Sequence, residues 1–144
     1  MTFDIGIRRD LTMTTRDGVE LVSDLYLPPG DGPFPTLLYR VRGSKSSSFI
    51  AGTILLNPIL AAERGYAVCI QEVRGRGSSG GEWHPFIHEA EDGWDAMEWL
   101  IAQPWCNGRV GSYGTAYTGI AALELAGTGH PNLEAVVAIV SGVS

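Results

Sequence analysis

One stretch of the chain decides the fold: Gly108-Arg-Val-Gly-Ser-Tyr-Gly-Thr-Ala-Tyr-Thr-Gly-Ile-Ala-Ala-Leu-Glu-Leu-Ala126. It predicts a short buried strand over residues 110–113, a tight glycine turn over residues 114–117, and then a helix of small and apolar residues. A strand, a sharp turn and a helix in this order are typical of a nucleophile elbow, which holds one side chain above a parallel sheet. The side chain at the apex of this turn therefore decides what chemistry the elbow can perform.

The apex of the predicted elbow lacks the residue that its signature requires. The signature is Gly-x-Ser-x-Gly, and the matching window is Gly114-Thr-Ala-Tyr-Thr-Gly119. Gly114 and Gly119 are the small residues that let the strand and the helix pack closely. The apical position is Ala116, so the scaffold is present without a nucleophilic hydroxyl. Ser112 is predicted to be buried below the elbow and Thr115 to point away from the apex, so neither is expected to replace it.

Composition and charge exclude several classes of function. The 144 residues make one domain with a real core, and the net charge of −6 argues against a nucleic-acid partner. The chain has no run of about 18 apolar residues, so no membrane span is predicted. Because residues 1–10 lack the pattern of a signal peptide, a cytoplasmic location is expected. Cys69 and Cys106 fit buried free thiols rather than zinc ligands, and nothing indicates a metal or another cofactor.

The rest of the chain alternates between strands and helices. Asp17-Gly18 predicts a two-residue hairpin turn between the first two strands. The predicted strands are residues 5–14, 19–27, 34–40, 66–72, 110–113 and 133–140. The predicted helices are residues 49–64 (interrupted by Pro58), 89–101 and 118–127. Alternation of this kind after an opening hairpin predicts an α/β fold, with a mostly parallel sheet covered by helices on both faces.

Two polar segments invite functional hypotheses. Residues 73–82 are rich in glycine, but no helix follows at once to complete a phosphate site, so we interpret them as a connector. Glu89, Glu91 and Asp92 begin the helix over residues 89–101, whose apolar side is predicted to include Trp94, Met97, Leu100 and Ile101. We interpret them as a solvated helix start that suits the helix dipole, rather than as a pair of catalytic carboxylates.

Several further blocks carry a resemblance to a known family. They are Arg16–Pro28, Gly65–Gly75, Ser79–Glu82, Asp92–Leu100 and Pro104–Gly111, and they lead into the elbow. Together they resemble the front half of an α/β-hydrolase. More specifically, the sequence is similar to the family of bacterial cocaine esterase, α-amino-acid ester hydrolases and X-prolyl dipeptidyl aminopeptidases.

The resemblance implies hydrolysis of small esters or amides by a Ser–Asp–His triad. It places the serine at Ala116, one oxyanion donor at the backbone N–H of Tyr117, and the substrate pocket at Arg42, Gly43 and Thr115. The second oxyanion donor of the family, a tyrosine hydroxyl, falls near Gly43, where no tyrosine occurs. The cap, the triad Asp and His, and the C-terminal jelly roll come later in the family. Residues 1–144 are therefore expected to be the N-terminal part of the hydrolase domain.

Three explanations of the alanine remain open. In the first, Ala116 is an engineered change. In the second, the protein is a natural pseudo-hydrolase. In the third, the enzyme is split, and a second polypeptide supplies the Asp and His. Gly43 and Ala116 together favour the second. The apolar strand over residues 133–140 predicts sheet neighbours on both sides, so a second polypeptide or self-association is expected. The expected function is a serine hydrolase core that is inactive alone, and the alternative is a ligand-binding or partner subunit.

Overall fold

The computed structural model describes residues 4–53 and 55–139. The elements are β1 (Gly6–Thr14), β2 (Glu20–Leu27), β3 (Phe34–Val41), α1 (Lys45–Gly52), α2 (Pro58–Glu63), β4 (Ala67–Glu72), α3 (Glu89–Ile101), β5 (Cys106–Thr115), α4 (Tyr117–Gly127) and β6 (Leu133–Ile139). The six strands form one sheet in the order β1-β2-β4-β3-β5-β6. The last residue of the predicted strand over residues 133–140 lies outside the described residues.

The sheet is mixed, as the sequence predicts. β1 and β2 form the antiparallel hairpin, β2 pairs antiparallel with β4, and the remaining pairs, β4–β3, β3–β5 and β5–β6, are parallel. The hairpin turn differs from the prediction. Thr15 donates its N–H to the Val19 carbonyl at 2.8 Å, so Arg16, Asp17 and Gly18 all lie inside the loop. Gly18 has a φ of 87°, which gives a turn with a left-handed glycine rather than a two-residue turn.

Helices cover both faces of the sheet, and each face has its own apolar core. On one face, α3 and α4 pack over the sheet through buried side chains that include Met97, Leu100 and Leu125. On the other face, α1 and α2 pack over Tyr39, Tyr113 and their neighbours. The predicted apolar side of α3 is therefore confirmed as a core contact, and the α/β fold class is confirmed with it.

The predicted helix over residues 49–64 is in fact two helices. α1 begins earlier, at Lys45, where the Ser44 hydroxyl accepts the Ser47 N–H at 3.1 Å. α2 begins at Pro58, and the Asn57 side chain caps it by accepting two backbone N–H groups. Proline cannot continue a helix but suits the first position of a new one, so Pro58 starts α2 rather than merely interrupting a longer helix.

β6 forms one edge of the described sheet. It pairs with β5, and Val137 on this strand is 52% exposed although it is apolar. Within residues 4–53 and 55–139, no second strand pairs with β6. In the same residues, no helix is long and apolar enough to cross a membrane.

Candidate functional site at the elbow

The apex of the elbow is Ala116, between the end of β5 and the start of α4. Its backbone has φ 52° and ψ −123°, a conformation that costs an alanine about 1–3 kcal/mol. The Ala116 N–H donates to the Ile139 carbonyl at 3.1 Å, and the Ala116 carbonyl accepts the Ile120 N–H at 3.0 Å. These hydrogen bonds fix the apex to β6 on one side and to α4 on the other, and the methyl group of Ala116 is exposed.

Gly114 makes the sharp turn possible. A Cβ at this position would lie 2.3 Å from the carbonyl carbon of Thr118 and 2.6 Å from the backbone nitrogen of Gly119. Both neighbours are backbone atoms, which cannot rotate away as a side chain could. The strand and the helix therefore approach so closely that only glycine fits, which is the arrangement that an elbow requires.

Two hydroxyl groups near the apex, those of Ser112 and Thr118, bond to backbone atoms. Ser112 is buried and donates to the Leu38 carbonyl at 3.0 Å, so it lies inside the sheet as predicted. The Thr118 hydroxyl donates to the Thr115 carbonyl and accepts the Thr115 N–H, both at 2.7 Å. In this arrangement the exposed apical side chain is the methyl group of Ala116.

Tyr117, the first residue of α4, connects the elbow to the rest of the site. As the first helical residue, it has a backbone N–H without a partner inside the helix. Its phenol donates to the Glu89 carboxylate and accepts the Trp83 indole N–H and the Phe86 backbone N–H, both at 3.2 Å. Burial and the bond to Glu89 raise the pKa of Tyr117 to about 12, so the phenol stays neutral at physiological pH.

The acids at the start of α3 are not all solvated, which corrects the sequence prediction. Glu89 is buried and lies 3.0 Å from the buried guanidinium of Arg40. Asp92 is also buried and pairs with Arg74 at 2.8 Å. Arg40 lies near the carboxyl end of β3, and Arg74 follows the end of β4 by two residues. Burial without such partners would be very costly for these carboxylates.

A cleft of about 430 Å³ lies beside the elbow. Its lining residues are Arg42, Gly43, Ser47, Ser48, Arg76 and Thr118. Arg42 and Gly43, two of the three residues predicted for the substrate pocket, line this cleft. The third, Thr115, is the last residue of β5 and is not among the lining residues, whereas Thr118 is.

Aromatic rings position the two arginines of the cleft. The Arg76 guanidinium lies over the Trp83 ring, 4.7 Å from its centroid, and its Nε donates to the Arg42 carbonyl at 2.8 Å. The Arg42 guanidinium lies 5.9 Å from the centroid of the Tyr117 ring. Arg76 and Trp83 belong to the glycine-rich connector and the segment after it, which sequence reasoning did not assign to the site.

The fold and the elbow define an α/β-hydrolase. A family model described as X-Pro dipeptidyl-peptidase (S15 family) matches residues 17–144, and the chain belongs to this family.

Known relatives agree with this assignment. Cocaine esterase of Rhodococcus sp. is 37% identical over 131 residues, which cover 91% of this chain and 23% of that protein. The crystal structure of a CocE/NonD family hydrolase from Staphylococcus aureus is 27% identical, with a TM-score of 0.81 over 90% of this chain and 26% of that one. An aminopeptidase from a marine sediment archaeon (Thaumarchaeota archaeon) is 26% identical, with a TM-score of 0.85 over 98% and 26%. The chain therefore spans about a quarter of the length of these relatives.

Proposed function

We propose that this chain is the N-terminal part of an ester or amide hydrolase domain in which the elbow carries no nucleophile. One observation carries the proposal: the apical position, with its strained backbone and its close glycine contact, is occupied by Ala116. A methyl group cannot attack a carbonyl carbon, so no acyl-enzyme forms at the apex.

The expected loss of activity is large. Removing the nucleophile of a serine hydrolase lowers turnover by about 10⁶-fold, and the remaining rate comes from oxyanion stabilisation and binding. In this chain the oxyanion donor is the backbone N–H of Tyr117. The second donor is absent at Gly43, which has no side chain. The isolated module is therefore proposed to bind an ester-like or amide-like ligand without turning it over.

A second candidate is a pseudo-hydrolase that acts as a ligand-binding or partner subunit of a larger assembly. The cleft with its two arginines supports ligand binding. The exposed apolar edge at β6 supports association with a second polypeptide or with another copy of the chain, because unpaired apolar edges favour pairing.

The test is the hydrolysis of a short chromogenic ester by the protein purified from its own cells, together with any polypeptide that accompanies it. The parent is expected to hydrolyse the ester no faster than buffer. Ala116→Ser is compared with Ala126→Ser, which makes the same change at an exposed position of α4. Recovered activity in the first variant alone supports a hydrolase core, and no recovery supports either the pseudo-hydrolase or the absence of the triad Asp and His. Ester turnover by the parent overturns both proposals.

A further inference from the structure

We propose that the cleft beside the elbow binds a small organic carboxylate between the guanidinium groups of Arg42 and Arg76. The inference rests on the proposed function, because a carboxylic acid is the acyl product that an ester or amide hydrolase releases. It goes further by assigning a ligand class and two binding residues to the cleft.

The positive charge of the cleft is not balanced by the protein itself. Across residues 4–53 and 55–139, neither Arg42 nor Arg76 forms an ion pair, whereas Arg40 and Arg74 are each paired with a carboxylate. No acidic residue lines the cleft. The chain carries a net charge of −6, so two adjacent unpaired arginines stand out as an anion site.

The acid in the strand behind the cleft has partners other than the two arginines. Glu72, at the end of β4, accepts the Lys45 backbone N–H at 3.0 Å and the Ser78 N–H at 2.8 Å. Its carboxylate also lies 3.4 Å from the Lys45 ammonium, which it shares with Asp10 and Asp24. Among the ion pairs of the described residues, none joins Glu72 to Arg42 or Arg76.

The two guanidinium groups are partly held in place before a ligand arrives. The Arg76 Nε donates to the Arg42 carbonyl, and the face of the guanidinium lies over the Trp83 ring. The terminal N–H groups of Arg76 are therefore left to donate to a ligand. The ring of Tyr117 lies close to the Arg42 guanidinium. A planar guanidinium matches the two oxygens of a carboxylate, and restricting its motion lowers the entropy lost on binding.

The size and the surroundings of the cleft fit a small molecule. Its volume of about 430 Å³ lies within the range of ordinary ligand pockets, roughly 300–1,000 Å³. Ser47, Ser48 and Thr118 add hydroxyl groups to its lining. At Gly43, an added Cβ would lie 3.2 Å from the Ser48 hydroxyl oxygen, so glycine keeps this wall open. Thr118 follows the apex by two residues, which places the cleft beside the elbow.

Calorimetric titration with butyrate and benzoate tests the proposal, with the neutral analogue butyramide and with inorganic phosphate as comparison ligands. The variants are Arg42→Gln and Arg76→Gln. Arg64→Gln is the control, because Arg64 is an exposed arginine that does not line this cleft. We expect the parent to bind the carboxylates, and each cleft variant to bind them about tenfold to a hundredfold more weakly. The control is expected to bind as the parent does, and added salt to weaken binding.

Three results would overturn the inference: no carboxylate binding by the parent, equal binding of butyramide, or phosphate binding tighter than that of both carboxylates. An equal loss in the Arg64→Gln control would do the same. Unfolding midpoints measured for each variant separate a lost contact from a lost fold, and Arg42 is exposed, so its variant is expected to fold. Ester turnover by the parent would overturn the proposed function, whereas an inert parent without carboxylate binding would overturn only this inference.

Discussion

Replacing Gly114 by alanine is expected to destabilise the protein strongly. The new Cβ would lie 2.3 Å from the Thr118 carbonyl carbon and 2.4 Å from its oxygen. Carbon atoms pack at about 3.5–4.0 Å, so β5 and α4 would have to separate by more than about 1 Å. Overpacking of this kind costs about 1–3 kcal/mol, and we expect the upper end because both contacts are with backbone atoms.

Gly127→Ala is the matched control. Gly127 is the last residue of α4, and a Cβ there would meet nothing within 4 Å. Alanine favours helix more than glycine does, so this variant is expected to gain up to about 1 kcal/mol. The same substitution is thus expected to have opposite effects in the strand before α4 and at the C-terminal end of α4.

Urea unfolding followed by circular dichroism measures both effects. For a domain of this size, a loss of about 3 kcal/mol lowers the unfolding midpoint by at least about 1 M urea. If Gly114→Ala unfolds at the parent midpoint with the same slope, the close approach of β5 and α4 is not what requires glycine, and the account of the elbow is wrong.

Three further predictions concern the elbow and the network behind it. Ala116→Gly relieves the positive φ and is expected to raise the free energy of unfolding by up to about 1 kcal/mol. Tyr117→Phe removes the phenol that binds Glu89 and is expected to cost about 1–3 kcal/mol near neutral pH. The pKa of Tyr117 is raised to about 12 in the folded protein, so the stability that this shift contributes is complete below about pH 10 and is lost as the pH rises toward 12. The phenylalanine variant is therefore expected to lose less free energy of unfolding than the parent between about pH 10 and 12. Arg40→Met leaves the Glu89 carboxylate buried without its cation and is expected to cost about 3–5 kcal/mol.

The same unfolding measurements decide these predictions. A lower stability for Ala116→Gly would mean that the apex is not strained. An alkaline loss between pH 10 and 12 that is the same with phenylalanine at position 117 would show that Tyr117 does not titrate there. If Arg40→Met were as stable as the parent, the buried Glu89 carboxylate would not need the Arg40 guanidinium. In that case, adding Glu89→Gln to Arg40→Met would not restore any free energy of unfolding.

The sequence predicted the parts of the fold that depend on local pattern. Alternating apolar residues gave the hairpin, and the helical spacing of Met97 and Leu100 gave the buried face of α3. The elbow was predictable because β5 and α4 follow each other directly in the chain, and their close contact requires Gly114 and small residues after it. Signals of this kind lie within a few residues of one another, so a single sequence displays them.

Contacts between distant segments were not predictable in the same way. Glu89 is separated from Arg40 by 49 residues, and Trp83 meets Tyr117 across 34 residues, so no local pattern joins them. One signal was available: Arg40 follows the apolar run of β3, and a charge in a buried strand needs a partner. Pro58 was recognised as a break, but its capping residue Asn57 and its role in starting α2 depended on the path of the chain.

The central claim is that the elbow of this chain offers no nucleophile. Intact-mass spectrometry of the parent protein after incubation with a fluorophosphonate, which labels activated serines covalently, tests it most directly. Because the apical side chain is the methyl group of Ala116, we expect an unchanged mass at reagent concentrations that fully label an active serine hydrolase run in parallel. A single stoichiometric adduct, mapped to a hydroxyl of β5 or α4, would contradict the account and show that another side chain performs the acyl chemistry.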